Sequence, residues 1–214
     1  MTERLRFKNR TEWLAGREAI KGIGASEAWA AASGGKDRLN LWKEKTGRKE
    51  PDDLSDNPDV PRGNRMERAV RQWCAAAHPE LIVTHHPFDI LYQTETPWCF
   101  ATLDGELTDK ERHEQGVIEI KNVQPRKKED WQSWDGRVPD RYYMQILHQY
   151  NATKRKFFWI VAALYQSNGD VTIREFLFKA DEAFRRDAAF LMQSEELFLD
   201  YVRSGQIPPC EIVF

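Results

Sequence analysis

The order of hydrophobic periodicities along this chain predicts an α/β sandwich, a central mixed β-sheet flanked by helices. Two observations carry that prediction. Apolar residues recur at helical spacing up to residue 78, and from there short runs rich in Val, Ile, Thr, Phe and Tyr alternate with further helical stretches. At 214 residues and 41% hydrophobic content, the chain can also fill one core of ordinary size. A single domain over 1–214 is therefore expected, with a helical part at 1–78 and the sheet with its helices at 79–214.

Residues 9–20 and 26–33 read as helices, with Trp13, Leu14 and then Ala28, Trp29, Ala32 at helical spacing, separated by a Gly22-Ile23-Gly24 turn. A short helix at Leu39–Lys45 follows. The stretch 47–61 is acidic, holds prolines and has almost no apolar residue, so it reads as a solvated loop. Residues 62–77 form an amphipathic helix in which Met66, Ala69, Val70, Trp73 and Ala77 make the apolar face, and the helix should stop at His78-Pro79. Between Leu81 and Asn122 the runs are strands, broken at Pro87, Pro97, Gly105 and Gly116. A helical segment at 125–135 leads to a helix at 140–152 with Tyr143, Ile146, Leu147 and Tyr150 on one face. Strands at 156–164 and 171–178, joined by Ser167-Asn168-Gly169-Asp170, precede a long closing helix at 181–203. No internal repeat is visible.

Formal net charge is only -2, but it is polarised along the chain. Residues 1–49 hold 12 Lys/Arg against 6 Asp/Glu, and residues 121–156 hold 9 against 4. Acid is concentrated at 50–60, with five carboxylates and no base, and at 180–214, with seven against three. The N-terminus lacks an apolar leader core, and no stretch approaches the roughly 20 apolar residues of a membrane span, so a cytoplasmic protein without membrane partners is expected. Cys74, Cys99 and Cys210 are odd in number and far apart, which argues for buried free thiols rather than a disulfide or metal cluster.

The run Gly116-Val117-Ile118-Glu119-Ile120-Lys121-Asn122 is the most informative. Side chains alternate along a strand, so Glu119 and Lys121 share one side while Ile118 and Ile120 face the other. Taken alone, the pair reads equally as a surface ion pair. Upstream, Asp104 stands just before Gly105 at a strand junction, with fourteen residues between it and Glu119. Two carboxylates and the Ile120 carbonyl offer hard oxygens suited to magnesium, with manganese as a substitute. Lys121 would orient or deprotonate an attacking water and stabilise charge at phosphorus. Glu67 leans toward the apolar side of its helix, where it is either salt-bridged to a nearby Arg or drawn toward a metal. Gln145 and Gln149 sit one turn apart at the edge of the polar face, as solvated residues or, for Gln145, as a phosphate or water contact.

Trp13…Arg17, Gly22-Ile23-Gly24-Ala25-Ser26-Glu27, Leu41-Trp42, Gly63…Glu67, Asp104-Gly105, Glu119-Ile120-Lys121 and Tyr142…Gln145 occur in an order that resembles the YqaJ-like viral recombinase family, which includes lambda exonuclease. The likeness runs over roughly 10–165. It implies a PD-(D/E)xK nuclease core, divalent-metal catalysis, and 5′-to-3′ digestion of one strand of double-stranded DNA from a free end, leaving 3′ overhangs for phage recombination. It also implies that Arg17, Ser26, Thr102 and Gln145 bind the terminal 5′-phosphate, that the chain forms a homotrimer ring, and that a single-strand annealing protein is a partner. Arg17 offers a guanidinium fork and Ser26 begins a helix whose free N–H groups favour an anion. In two respects the chain departs from the family pattern: Leu103 replaces the proline before the Asp, and the Arg17-to-Ser26 gap is long, which makes Lys21 an alternative anchor.

Gly34-Gly35-Lys36 lacks the flanking residues of a phosphate-binding P-loop and reads as a basic loop in which Lys36 and Arg38 touch DNA. His85-His86 point to opposite faces of a strand and are expected to be structural, as are Trp131 and Trp134. The leading functional expectation is a processive exonuclease. A sequence- or structure-specific endonuclease on the same metal site is the second, and a non-catalytic DNA-binding scaffold the third.

Overall fold

A computed structural model of the chain describes residues 1–50, 59–166 and 168–209. Most of the expected acidic loop, Ser167 of the expected turn, and Cys210 lie outside the described residues. The order is β1 (Thr2–Arg6), α1 (Arg10–Ile20), β2 (Ile23–Gly24), α2 (Ala28–Ser33), α3 (Gly35–Lys45), α4 (Asp59–Ala77), β3 (Leu81–Thr84), β4 (Asp89–Gln93), β5 (Thr96–Ala101), β6 (Gly105–Asp109), β7 (Gln115–Val123), α5 (Lys128–Gln132), α6 (Asp140–Thr153), β8 (Phe157–Tyr165), β9 (Val171–Lys179) and α7 (Glu182–Ser204). Side-chain caps start two of the helices, Asn9 accepting from the Glu12 N–H and Asp181 from the Phe184 N–H. Left-handed residues stop them, Lys21 after α1 and Gly205 after α7.

The expected mixed sheet is present, in the order β3-β6-β7-β8-β9, with β7 and β8 parallel and the other pairs antiparallel. Its strand β8 is apolar throughout because both faces are covered. Phe158, Ile160, Ala162 and Leu164 face the core built with Ile146 and Leu147 of α6 and Phe184 and Leu191 of α7. Phe157, Trp159, Val161 and Ala163 face the core built with Val70 and Cys74 of α4. Cys74 and Cys99 are buried free thiols, as expected.

A second sheet, β1-β4-β5-β2, takes β4 and β5 from the stretch expected to be strands but pairs them with β1 and β2, which were not expected, so the part before residue 78 is not purely helical. Thr2–Arg6 shows no apolar alternation because it is held by pairing with β4 and by charge: Arg4 donates to Asp89 at 2.6 Å and to Glu106 at 2.7 Å. The supposed turn at Gly22-Ile23-Gly24 contains the two-residue strand β2, parallel to Cys99 and Phe100 of β5. A Cβ on Gly22 would come within 2.1 Å of the Trp98 carbonyl oxygen, so glycine is required there for close approach.

The packed face of α4 also differs from expectation. Val70 and Cys74 are buried and Glu67 is half-buried, whereas Ala69, Trp73 and Ala77 are exposed. Rotating the helix toward Gly63 and Glu67 removes Trp73 from the core, where it makes an edge contact with His78 at 6.2 Å instead. That rotation presents Glu67 to the middle of the sheet. Among the described residues no helix is long and apolar enough to cross a membrane.

Candidate active site

The β7 register sends Ile118 and Ile120 into the core beneath α4 and leaves Glu119 and Lys121 on the side of α6. Asp104 precedes β6, and Gly105 pairs with Ile118 on β7. A Cβ at residue 105 would lie 2.7 Å from the Ile118 Cγ2, so the glycine lets the two strands close at this point. Asp104 Oδ2 then accepts from the Ile120 N–H at 2.8 Å. This single bond joins the lone Asp to the Glu-x-Lys strand. From the other side Arg71 of α4 donates to the Asp104 carbonyl oxygen at 2.8 Å and lies 3.7 Å from Glu67.

Glu119 is buried, and both of its oxygens are satisfied by side chains of the same site. Oε1 accepts from Lys121 Nζ at 2.6 Å and Gln145 Nε2 at 2.7 Å, while Oε2 accepts from Gln149 Nε2. Gln145 Oε1 in turn accepts from Lys121 Nζ at 2.7 Å, closing a three-membered ring of hydrogen bonds. Gln149 is therefore not the solvated residue expected; it is buried, with its amide turned onto Glu119 of β7.

Charge in this cluster is unbalanced. Loss of surrounding water, then Glu119 and Glu67, hold the Asp104 carboxyl well above its usual range against the pull of Lys121. Burial also raises Glu67, with Arg71 opposing and Glu119 adding to the rise. At Lys121 burial disfavours the ammonium, but Glu119 and Asp104 outweigh it and its affinity for the proton is raised. Asp104, Glu67 and Glu119, with the Ile120 carbonyl, offer hard oxygens of the kind a divalent magnesium or manganese ion takes.

The residues expected at a terminal phosphate separate into two neighbouring groups. Arg17 stacks on Trp13 at 4.9 Å and Phe100 at 5.4 Å, beside Gly24. The Thr102 hydroxyl accepts from Trp13 Nε1 at 2.9 Å and donates to the Asp89 carbonyl at 3.0 Å. Ser26 lies instead in a cavity of about 140 Å³ with Trp29, Asp37, Arg141, Tyr142 and Gln145. Ser26 does not open a free helix: it sits in the 3-10 turn Ala25–Glu27 before the six-residue α2, and Glu27 already accepts from the Gly24 N–H at 2.8 Å and from Lys45. Lys21 and Lys36 are exposed. Arg38 does not reach outward, because its side chain is buried against Phe198 and Tyr201 of α7.

His85 and His86 follow β3 rather than lying within a strand, and among the described residues they join no cluster of metal ligands. Burial first, then the charges of Arg71 and His86, lower His85 to about 4. Trp134 is buried and stacked on Tyr142, in line with a structural role. Cys99, His148 and Glu195 form a buried cluster with the spacing of metal ligands. Both ring nitrogens of His148 face acceptors, Glu195 Oε1 at 2.7 Å and the Phe100 carbonyl at 3.0 Å. An imidazolium that donates on both sides has no lone pair for a metal, so this cluster is a buried ion pair tying β5, α6 and α7 together. Nothing in the sequence pointed to Arg71 or Arg141; it offered Gln149 only as a solvated residue and carried Tyr142 only as part of the family motif. Only the helical spacing of Tyr142, Gln145 and Gln149 signalled a shared face.

A mixed sheet with a parallel central pair, and an Asp locked by a backbone hydrogen bond to a Glu-x-Lys strand, define the PD-(D/E)xK class of fold. The sequence profile of the YqaJ-like viral recombinase domain matches residues 12–156, and the chain belongs to that family. No curated protein matches it significantly. Among solved structures it is similar to an alkaline exonuclease, LHK-Exo, from Laribacter hongkongensis, with 19% identity, 92% of this chain and 94% of that chain covered, and a TM-score of 0.67. The complex of LHK-Exo with dAMP aligns at 21% identity over the same shares of each chain, with a TM-score of 0.66. A phage related exonuclease from Haemophilus somnus is similar at 11% identity, covering 94% of this chain and 91% of that one, with a TM-score of 0.50.

Proposed function

We propose that this chain is a divalent-metal-dependent deoxyribonuclease, a processive 5′-to-3′ exonuclease on linear double-stranded DNA that leaves 3′ overhangs for phage recombination. The observation that carries the reading is the Asp104 hydrogen bond to the Ile120 N–H, which places Asp104 beside Glu119 and Lys121 with Glu67 close enough to raise its carboxyl. Asp104, Glu119, Glu67 and the Ile120 carbonyl would hold magnesium. When bound, that ion supplies charge neutralisation at the phosphate and lowers the pKa of water.

The chain's own residues do the rest. Glu119 is oriented on both oxygens by Lys121, Gln145 and Gln149, so it needs little reorganisation as charge develops. Lys121 orients the attacking water and meets negative charge building on the phosphate oxygens. Arg17, stacked on Trp13 and Phe100, would present its fork to the terminal 5′-phosphate beside Thr102, which is hydrogen-bonded to the same Trp13. Ser26 and Gln145 would meet DNA from the neighbouring cavity that they share. The recorded complex of LHK-Exo with dAMP supports a nucleotide ligand for this fold. The chain acts as one catalytic unit in a bacterial cytoplasm, with a single-strand annealing protein taking up its product.

The test is digestion of linear duplexes bearing 5′-phosphate or 5′-hydroxyl ends, and of closed circles, with magnesium or with chelator. Linear 5′-phosphorylated DNA should disappear only with magnesium, and circles should survive. In the Arg17→Ala variant the preference for phosphorylated ends should be lost; persistence there and loss in Lys21→Ala would move the anchor to Lys21. Cleavage of circles would make the protein an endonuclease. No cleavage of any substrate with magnesium or manganese would overturn the nuclease reading.

A further inference from the structure

We propose that Tyr142 is a positioning residue for Lys121, its aromatic face serving as the third support of the ammonium. The inference rests on the nuclease reading above. Lys121 Nζ lies 4.8 Å from the centroid of the Tyr142 ring, within the range of a cation–π contact. Its other two partners are Glu119 Oε1 and Gln145 Oε1, so two of the three N–H bonds of the ammonium are used by oxygens and the ring fills the remaining flank.

The ring is itself held in place. It stacks on Trp134 with centroids 5.3 Å apart and planes 26° apart, and Trp134 is only 2% exposed. Tyr142, Gln145 and Gln149 occupy positions i, i+3 and i+7 of α6, so one helix face delivers all three contacts to the Glu119–Lys121 pair. The two oxygens that hold the ammonium are shared: Glu119 Oε1 also accepts from Gln145, and both acceptors carry lone pairs that an approaching cation or water competes for. An aromatic face has no such lone pair. It therefore keeps Lys121 aimed while the polar contacts rearrange around substrate.

The test replaces residue 142 by phenylalanine and by phenylalanines of increasing fluorination, which keep shape while draining charge from the ring face. Tyr142→Phe should retain kcat within about twofold, and the fluorinated series should lower it stepwise to about one tenth, with KM for DNA and the melting temperature unchanged. Tyr142→Leu should match the most fluorinated ring. Packing against Trp134 alone would give no dependence on fluorination. A flat kcat across the series, in an enzyme that cuts DNA and is silenced by Lys121→Ala, overturns the positioning role and leaves the nuclease reading standing. A wild-type protein that cuts no DNA overturns both.

Discussion

An Asp before a Gly is a turn on many surfaces, and Asp104 acquires its role only through the Ile120 N–H and the neighbouring carboxylates. On the proposed function either acid at the centre would supply a metal-binding oxygen, so Asp104→Ala and Glu119→Ala should each abolish magnesium-dependent cleavage while leaving DNA affinity largely intact. Wild-type cleavage by either purified variant would sink the site. His148 makes a different kind of residue-scale claim. Burial disfavours its charge, but Cys99 and Glu195 outweigh that and hold the imidazole well above its ordinary 6.5. Because the folded value is raised, the pair's stabilisation is fully present below pH 6.5 and fades as pH climbs through the folded value. Glu195→Gln should therefore cost about 3–5 kcal/mol in mildly acidic buffer, and its gap to wild type in denaturant titrations should narrow in alkaline buffer. A gap that stays constant with pH would mean that His148 is neutral.

At the scale of elements, strand alternation made Glu119 and Lys121 readable as a pair, because period-two geometry needs only the backbone. The face of α4 was less readable: Trp73 and Ala77 fit an apolar stripe as well as Val70 and Cys74 do, and only the sheet decides which stripe it takes. Strand β1 was invisible because its charges are matched by Asp89 and Glu106 from elsewhere in the chain. The junction of β6 with β7 offers a sharp test. In Gly105→Ala the new Cβ meets Ile118 Cγ2 at 2.7 Å and the Thr84 carbonyl oxygen at 3.2 Å. The variant should lose about 1–3 kcal/mol of stability, and cleavage should fall further than stability does, since Asp104 moves away from Ile120. Full activity with an unchanged melting temperature would show that the close approach is dispensable.

Over the whole molecule, the basic surplus at 1–49 and 121–156 belongs to the segments that frame the site, while 180–214 is acidic. Closed rings let such chains turn like surfaces toward one lumen, and phosphate contacts made there weaken as salt screens them. We therefore expect a homotrimer by light scattering coupled to gel filtration, with processivity on long duplexes that falls steeply as salt rises. A stable monomer that still digests processively would refute the ring and leave the chemistry of the site unaffected.

By itself the sequence determined the α/β order of elements, the shared side of Glu119 and Lys121, and the acids available to a metal, because periodicity and residue chemistry are local properties. It also carried the ordered motifs of the family. Tertiary structure alone decided which polar groups are buried together. Gln149 and Tyr142 became parts of the site, Arg38 left it for a place against Phe198 and Tyr201, and His148 joined Glu195 in a dry core. The physical reason is common to all four: burial and charge pairing depend on what covers a helix from every side, and those partners stand tens of residues away in the chain.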